Sequence, residues 1–264
     1  MHQVEAIITW KALTLFEKIK ISDRLILEQV ASSSKEYFCY IAYVAVEDEP
    51  HYYFNTAKSY LDLFVLTCAL ASDISATYRL GVGIKISDLK ELGEKRVTGF
   101  EKVTMLNENI QLPMNQPILL LKKRFCELEE DRQEIINSYL GLVLRYYYFA
   151  LQAYDREQKR IDEMIIDYAI SLEAFIKERR DKSPEIIDKL SRFIAEYESK
   201  SEVTKIMKNF YSLRNDIVHG NKKPITLEDL KATLIVKRYI KKAIDKALYL
   251  KLYEKIKLIK YLES

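Results

Sequence analysis

From Pro117 to the end of the chain, apolar residues recur every three or four positions, and glycine occurs only at 141 and 220. Such a stretch lacks the two-residue alternation of a half-buried sheet, so it predicts an all-helical half. Ile135, Tyr139, Leu142, Val143, Tyr146 and Ala150 share one face of a first helix. Ile161, Met164, Ile165, Tyr168, Leu172, Phe175 and Ile176 line a second. Ser183 and Pro184 mark the start of a third, as N-cap and first helical residue, with Ile186, Ile187, Leu190, Phe193, Ile194 and Tyr197 turned inward. A fourth runs from about Val203 through Ile206, Met207, Phe210 and Ile217 to Gly220, which suits the left-handed position past a helix end. Thr226 and Asp229 have capping-box spacing and open a long last helix through Ile240, Ala243, Ala247 and Ile256. Short connections predict antiparallel neighbours in a helical bundle.

The first part of the chain has a different grammar. Gly81, Gly83, Gly93 and Gly99 cluster there with Pro50 and Pro113, as turns between short elements require. Val4–Trp10, 36–46 and 96–106 are rich in β-branched and aromatic residues and read as strands, with a helix from Tyr60 to Ala71 laid against them. The fold class is therefore α+β, a small mixed α/β domain over 1–115 followed by an antiparallel helical bundle over 116–264. Gly81-Val-Gly83 is not a dinucleotide fingerprint, because position 86 is Ile, and no Lys-Ser/Thr follows as a phosphate loop needs.

The longest apolar stretch, Phe64 to Ala71, falls far short of the ~20 residues that span a bilayer. The N-terminus has neither the basic start nor the cleavage site of a signal peptide, so the expected location is the cytoplasm, away from membranes. Cys39, Cys68 and Cys126 are odd in number and widely spaced, which points to buried free thiols rather than disulfides or a zinc site. Net charge is only +3, yet from Lys222 to Lys260 there are 12 basic and 4 acidic side chains. That excess suits either a polyanion such as RNA or the solvated face of an amphipathic helix. Nineteen tyrosines include Tyr146, Tyr147 and Tyr148 in a row. A helix directs such neighbours to different sides, so one or two belong in the core.

Only His2, His51 and His219 can supply imidazole. His2 is terminal and His51 lies in a turn-like run, whereas His219 closes Tyr211-Ser-Leu-Arg214-Asn215-Asp216-Ile-Val-His219-Gly220. Asn215 and His219, four apart, share a helix face; Arg214 and His219, five apart, are offset by about 140°. A second subunit across a two-fold axis would complete the pair. A side chain that titrates near neutrality and a permanent bidentate cation suit metal-independent RNA cleavage, with proton transfer by imidazole and charge stabilisation by guanidinium. An Arg and a His at this spacing also occur by chance in helical proteins.

The run Tyr211 to Gly220, YSLRNDIVHG, resembles the RNxxxH form of the Rx4-6H signature of HEPN domains, the higher eukaryotes and prokaryotes nucleotide-binding superfamily, most closely the Apea-like branch. Ile170 to Phe175, ISLEAF, is similar to an upstream helix of that family, and Ile187 to Ala195 to the helix that follows it. The resemblance covers about residues 125–262. It implies a helical bundle that dimerises through the motif helix and is often a metal-independent endoribonuclease of antiviral defence or stress response. The residues it puts in the catalytic site are Arg214, Asn215 and His219, without metal or cofactor, and the partners it implies are RNA and a second copy. Asp216 is placed either to orient an imidazole or arginine or as a solvated helix residue. Glu173 matches the family's helical Glu and supports the motif from a facing helix or serves as a buried partner for Arg. Lys222, Lys223, Lys241 and Lys242 are the expected RNA-binding cations. The first domain corresponds to a variable sensor or targeting region whose ligand the resemblance does not name. Asn221 stands where toxins controlled by nucleotidyltransferases carry a Tyr, so control through that Tyr is not expected. The alternative reading is a non-catalytic HEPN module that binds RNA, a nucleotide or a protein.

Overall fold

The computed structural model describes residues 2–10, 18–32, 38–47, 52–72, 76–80, 116–155, 160–221 and 224–263. The expected strand over 96–106, the turn at Gly81–Gly83, His51, Lys222 and Lys223 lie outside them. The chain divides into two compact units, Met1–Gln133 and Glu134–Ser264.

The first unit carries β1 (His2–Trp10), β2 (Lys18–Lys20), β3 (Leu25–Ser32), β4 (Phe38–Val46), α1 (Tyr53–Ser72), β5 (Ala76–Leu80) and α2 (Gln116–Glu129). The strands form an antiparallel sheet in the order β2-β3-β4-β1-β5. Its register sets Val4 opposite Val44, Ala6 opposite Ala42 and Ile8 opposite Tyr40, with Leu25 and Leu27 continuing the row on β3. All are buried, as the two-residue period dictates for a sheet packed on one face. α1 packs across β1, β4 and β5 and also against α2, where Phe64 and Phe125 meet edge to face at 6.3 Å. Covered on two sides, α1 is apolar almost all round from Tyr60 to Leu70. The packing of α2 on α1 moves the unit boundary from the expected 115/116 to 133/134, because the apolar side of α2 is spent on the sheet unit.

The second unit is helical: α3 (Arg132–Asn137, which crosses the boundary), α4 (Tyr139–Asp155), α5 (Ile161–Ile176), α6 (Ser183–Phe193), α7 (Lys200–Val218), α8 (Leu227–Tyr249) and α9 (Lys255–Glu263). Three contacts fix α4 and α5 as antiparallel. The Tyr139 ring meets Phe175, Ser171 Oγ donates to the Val143 carbonyl at 2.9 Å, and the Tyr147 ring meets Tyr168. α5 also packs on α6, α7 and α8, which explains why Met164, Ile165, Tyr168, Leu172, Phe175 and Ile176 are all buried. Each such side chain contributes about 1.5 to 3 kcal/mol. The fold is α+β with a helical C-terminal region, as expected.

Several local expectations need correction. The first helix breaks at Ser138, whose Oγ accepts from the Leu140 N–H and donates to the Ile135 carbonyl; Leu142 faces solvent. Lys182, not Ser183, is the N-cap of α6, and Tyr197 is exposed because it follows the helix. The last helix stops at Leu250, where Lys251 takes a positive φ of 51°, and Ile256 on α9 is exposed. Cys126 is exposed and only Cys68 is a buried free thiol among the described cysteines. Of the three consecutive tyrosines, Tyr147 is fully buried.

The Lys255 amine donates to the carbonyls of Ala174 and Phe175 in the last turn of α5 and lies 5.2 Å from the Tyr139 ring centre. Burial pushes this amine down to about 8, the Lys189 cation adding to the effect. An unfolded lysine keeps its proton to about 10.4, so between those values the unfolded state binds more protons and stability rises with pH. Burial holds the Cys68 thiol up in the folded protein, so its ionisation in the unfolded chain pulls the other way over the same range. The Lys255 contribution is therefore read as a difference, and from pH 8 to 9.5 the melting temperature of the wild type should rise relative to that of Lys255→Met, measured by calorimetry. Gly141 generates a second prediction. A Cβ there would overlap the Ile136 carbonyl and lie 2.8 Å from the Ile135 oxygen, both backbone atoms of the preceding helix. Gly141→Ala should cost about 1 to 3 kcal/mol in denaturant melts.

Candidate active site

The motif sits on the last two turns of α7. Ser199 caps the helix start by accepting from the Glu202 N–H at 3.3 Å, and Val203, Met207 and Phe210 anchor the inner face. His219 is the C-cap residue, its N–H donating to the Asn215 carbonyl at 2.9 Å. Gly220 follows with φ of 73°, a left-handed conformation that glycine adopts without penalty, and the chain turns away. The His219 side chain is left exposed and has no hydrogen-bond partner among the described residues.

Arg214 is held differently. Its Nη1 donates to Asn215 Oδ1 at 3.1 Å, and its Nη2 lies 3.7 Å from Glu173 Oε1 on α5. Glu173 Oε2 accepts from Lys177 Nζ at 2.9 Å. The Arg214 and Glu173 side chains are 28% and 22% exposed, so the ion pair is worth no more than about 1 kcal/mol. Packing of α5, not attraction between these charges, brings Glu173 beside α7. One turn earlier on α7, Tyr211 is 4% exposed, and its hydroxyl is buried without a hydrogen-bond partner, as is Arg214 Nε. Burial pushes the Tyr211 phenol well above its usual range; the Glu173 charge adds to this and Arg214 opposes it.

The structure thus brings together Arg214, Asn215 and Glu173. It gives His219 no side-chain hydrogen bond to them within one chain. Asp216 is half-buried and makes no hydrogen bond or ion pair among the described residues, which fits its reading as a solvated helix residue. Two further residues stand beside Arg214 and Glu173: Tyr211, the first residue of the motif run, to which the sequence assigns no role of its own, and Lys177. Helical spacing held the signal, since Tyr211 precedes Arg214 by three residues and Lys177 follows Glu173 by four.

The basic stretch is less free than its count suggests. Lys242 Nζ lies 2.6 Å from Glu198 Oε1 and 5.7 Å from the Tyr197 ring centre, and Arg238 Nη2 lies 3.4 Å from the same carboxylate oxygen. Lys246 pairs with Glu196 at 3.2 Å and donates to the Phe193 carbonyl. These cations of α8 hold the acidic segment after α6. Lys241 is half-buried on the same helix.

No described helix is long and apolar enough to cross a membrane. Among the described residues, no group of three or more His, Cys, Asp or Glu is placed to hold a metal ion. The chain matches no family model, no curated protein and no solved structure.

Glu198 is only 10% exposed and needs its cations, so reversing Lys242 acts on the fold before it acts on any ligand. Lys242→Glu should lower stability by about 1 to 2 kcal/mol in thermal melts, with Arg238 retaining part of the pairing.

Proposed function

We propose that the helical unit is a metal-independent endoribonuclease of the HEPN type, acting in the cytoplasm as a homodimer with the α7 helices near the two-fold axis. The observation that carries this reading is the placement of Arg214, Asn215 and His219 on the final turns of one helix, with the exposed imidazole at the tip unpaired among the described residues. Arg214 and His219 do not join within one chain, and a second copy supplies the missing half. Val218 beside His219 is 50% exposed and Leu227 is 67% exposed, apolar surface that a partner subunit would cover.

In the proposed reaction, imidazole takes the proton of a ribose 2′-hydroxyl or gives one to the departing 5′-oxygen. The 2′-oxygen attacks the adjacent phosphorus, the bond to the 5′-oxygen breaks, and a 2′,3′-cyclic phosphate results. The guanidinium fork stabilises the charge that accumulates on the phosphoryl oxygens, and Asn215 orients the fork. The service proposed for this activity is antiviral defence or stress response, with the sheet unit as sensor or targeting domain.

A second reading, a binding module without catalysis, is favoured by the engagement of Arg214 with Glu173 in place of an approach to His219. A mixed RNA pool incubated with the purified chain separates the two. Cleavage should persist in EDTA, leave cyclic or opened phosphate ends, and fall by about 10² to 10⁴ in His219→Ala. Arg214→Lys should also be strongly impaired, since it loses the planar fork. Activity abolished by EDTA and restored by Mg²⁺, or cleavage at an unchanged rate in His219→Ala, would overturn the enzymatic reading.

A further inference from the structure

At the junction of α5 and α7, donors and acceptors are mismatched. Two buried donors, the Tyr211 hydroxyl and Arg214 Nε, have no acceptor among the described residues. Across from them on α5, the Glu173 carboxylate receives a hydrogen bond from Lys177 alone among the described residues, and Arg214 Nη2 stands 3.7 Å away, beyond hydrogen-bond distance. Buried donors without partners are uncommon and costly. Two on one helix turn, next to an acceptor with spare capacity, describe a cluster with a second, better-bonded arrangement close by. A movement of Glu173 toward Tyr211, which precedes Arg214 by one helical turn, would let the phenol donate to Oε1. The same movement would release the guanidinium, which is more than a quarter exposed.

We propose that Glu173 occupies Arg214 in place of a phosphate, and that Tyr211 is the positioning residue that takes over the Glu173 carboxylate when a phosphodiester claims the arginine. Lys177 keeps a hold on the other carboxylate oxygen throughout, so the acid stays anchored on α5 while its second oxygen changes partners. Two states follow. In the free protein Arg214 rests on Glu173 and Asn215; in the RNA-bound protein Tyr211 donates to Glu173 while Arg214 meets the phosphate. The carboxylate competes with the ligand, and the phenol weakens that competition. The inference rests on the reading of Arg214 as the phosphate ligand.

The probe is a 2′-O-methyl oligonucleotide, which carries phosphodiesters and cannot be cut through a 2′-hydroxyl. Its affinity for the full chain is measured by fluorescence anisotropy at fixed salt. Glu173→Gln removes the competing charge and should bind about two- to fivefold tighter, the range that a part-exposed ion pair allows. Tyr211→Phe removes the takeover donor and should bind about two- to fivefold weaker, while melting no lower than the wild type because the lost hydroxyl had no partner. In an Arg214→Gln background both effects should vanish, which a double-mutant cycle reads directly. A merely structural role for these residues would weaken binding in both variants. Unchanged or weaker binding by Glu173→Gln overturns the competition, and unchanged binding by Tyr211→Phe overturns the takeover. Cleavage of unmodified RNA, scored in parallel, keeps the two ideas apart. Tighter binding by Glu173→Gln in a protein that cuts nothing supports the exchange and sinks the ribonuclease reading. Cleavage that needs Arg214 and His219, together with a neutral Glu173→Gln, does the reverse.

Discussion

The helical unit depends on the burial of α5. This helix is packed by α4, α6, α7 and α8, and its six large buried side chains put more apolar surface into the core than any ion pair nearby can match in free energy. Its polar groups are turned to the same end. Ser171 is fully buried and spends its hydroxyl on the Val143 carbonyl, tying α5 to the backbone of α4. Its last carbonyls, which no further turn of helix satisfies, receive the Lys255 amine from the start of α9. Once α5 is fixed in this way, the Glu173 carboxylate is held beside α7, 3.7 Å from the Arg214 guanidinium.

Charge follows packing. The C-terminal excess of lysine and arginine looks like a surface for a polyanion when counted along the chain, yet the folded unit turns part of it inward. Lys242 and Arg238 bind Glu198 and Lys246 binds Glu196, and outside that stretch Lys189 likewise binds Asp181 and Glu178. Their long apolar stems cover the core while their heads hold the segments between helices, and Asp181 is kept below the usual carboxylate range by Lys189. What such pairs contribute is register between helices more than net energy.

The motif was readable because it lies on one continuous helix with an unambiguous end. Gly220 and the polar run before it announce a helix terminus, and a histidine at the terminus is exposed in almost any packing. Glu173 was readable as a partner for arginine, the plainer of its two readings, and its carboxylate lies 3.7 Å from Arg214 Nη2. Tyr211 was harder, since an aromatic residue at helical spacing signals core, and it is indeed buried. What distinguishes it is a hydroxyl without a partner, which no sequence pattern records. Lys242 misled for a related reason: a lysine on an amphipathic helix has the same one-letter appearance whether its amine meets solvent or a nearly buried carboxylate.

By itself the sequence determined the α+β class, strands over Val4–Trp10 and 36–46 that the structure shows at His2–Trp10 and Phe38–Val46, the apolar stripe of α5, the capping box at Thr226 and the helix stop at Gly220. Each follows from local periodicity or from the backbone demands of a few adjacent residues. Tertiary structure alone decided the rest. It broke the first and last long helices at Ser138 and Leu250, gave α2 to the sheet unit, and set Glu173 between Lys177 and Arg214. Those outcomes turn on which apolar faces cover one another. That choice is made between segments far apart in the chain, where burial outweighs any local preference for continuing a helix or for leaving a charge in water.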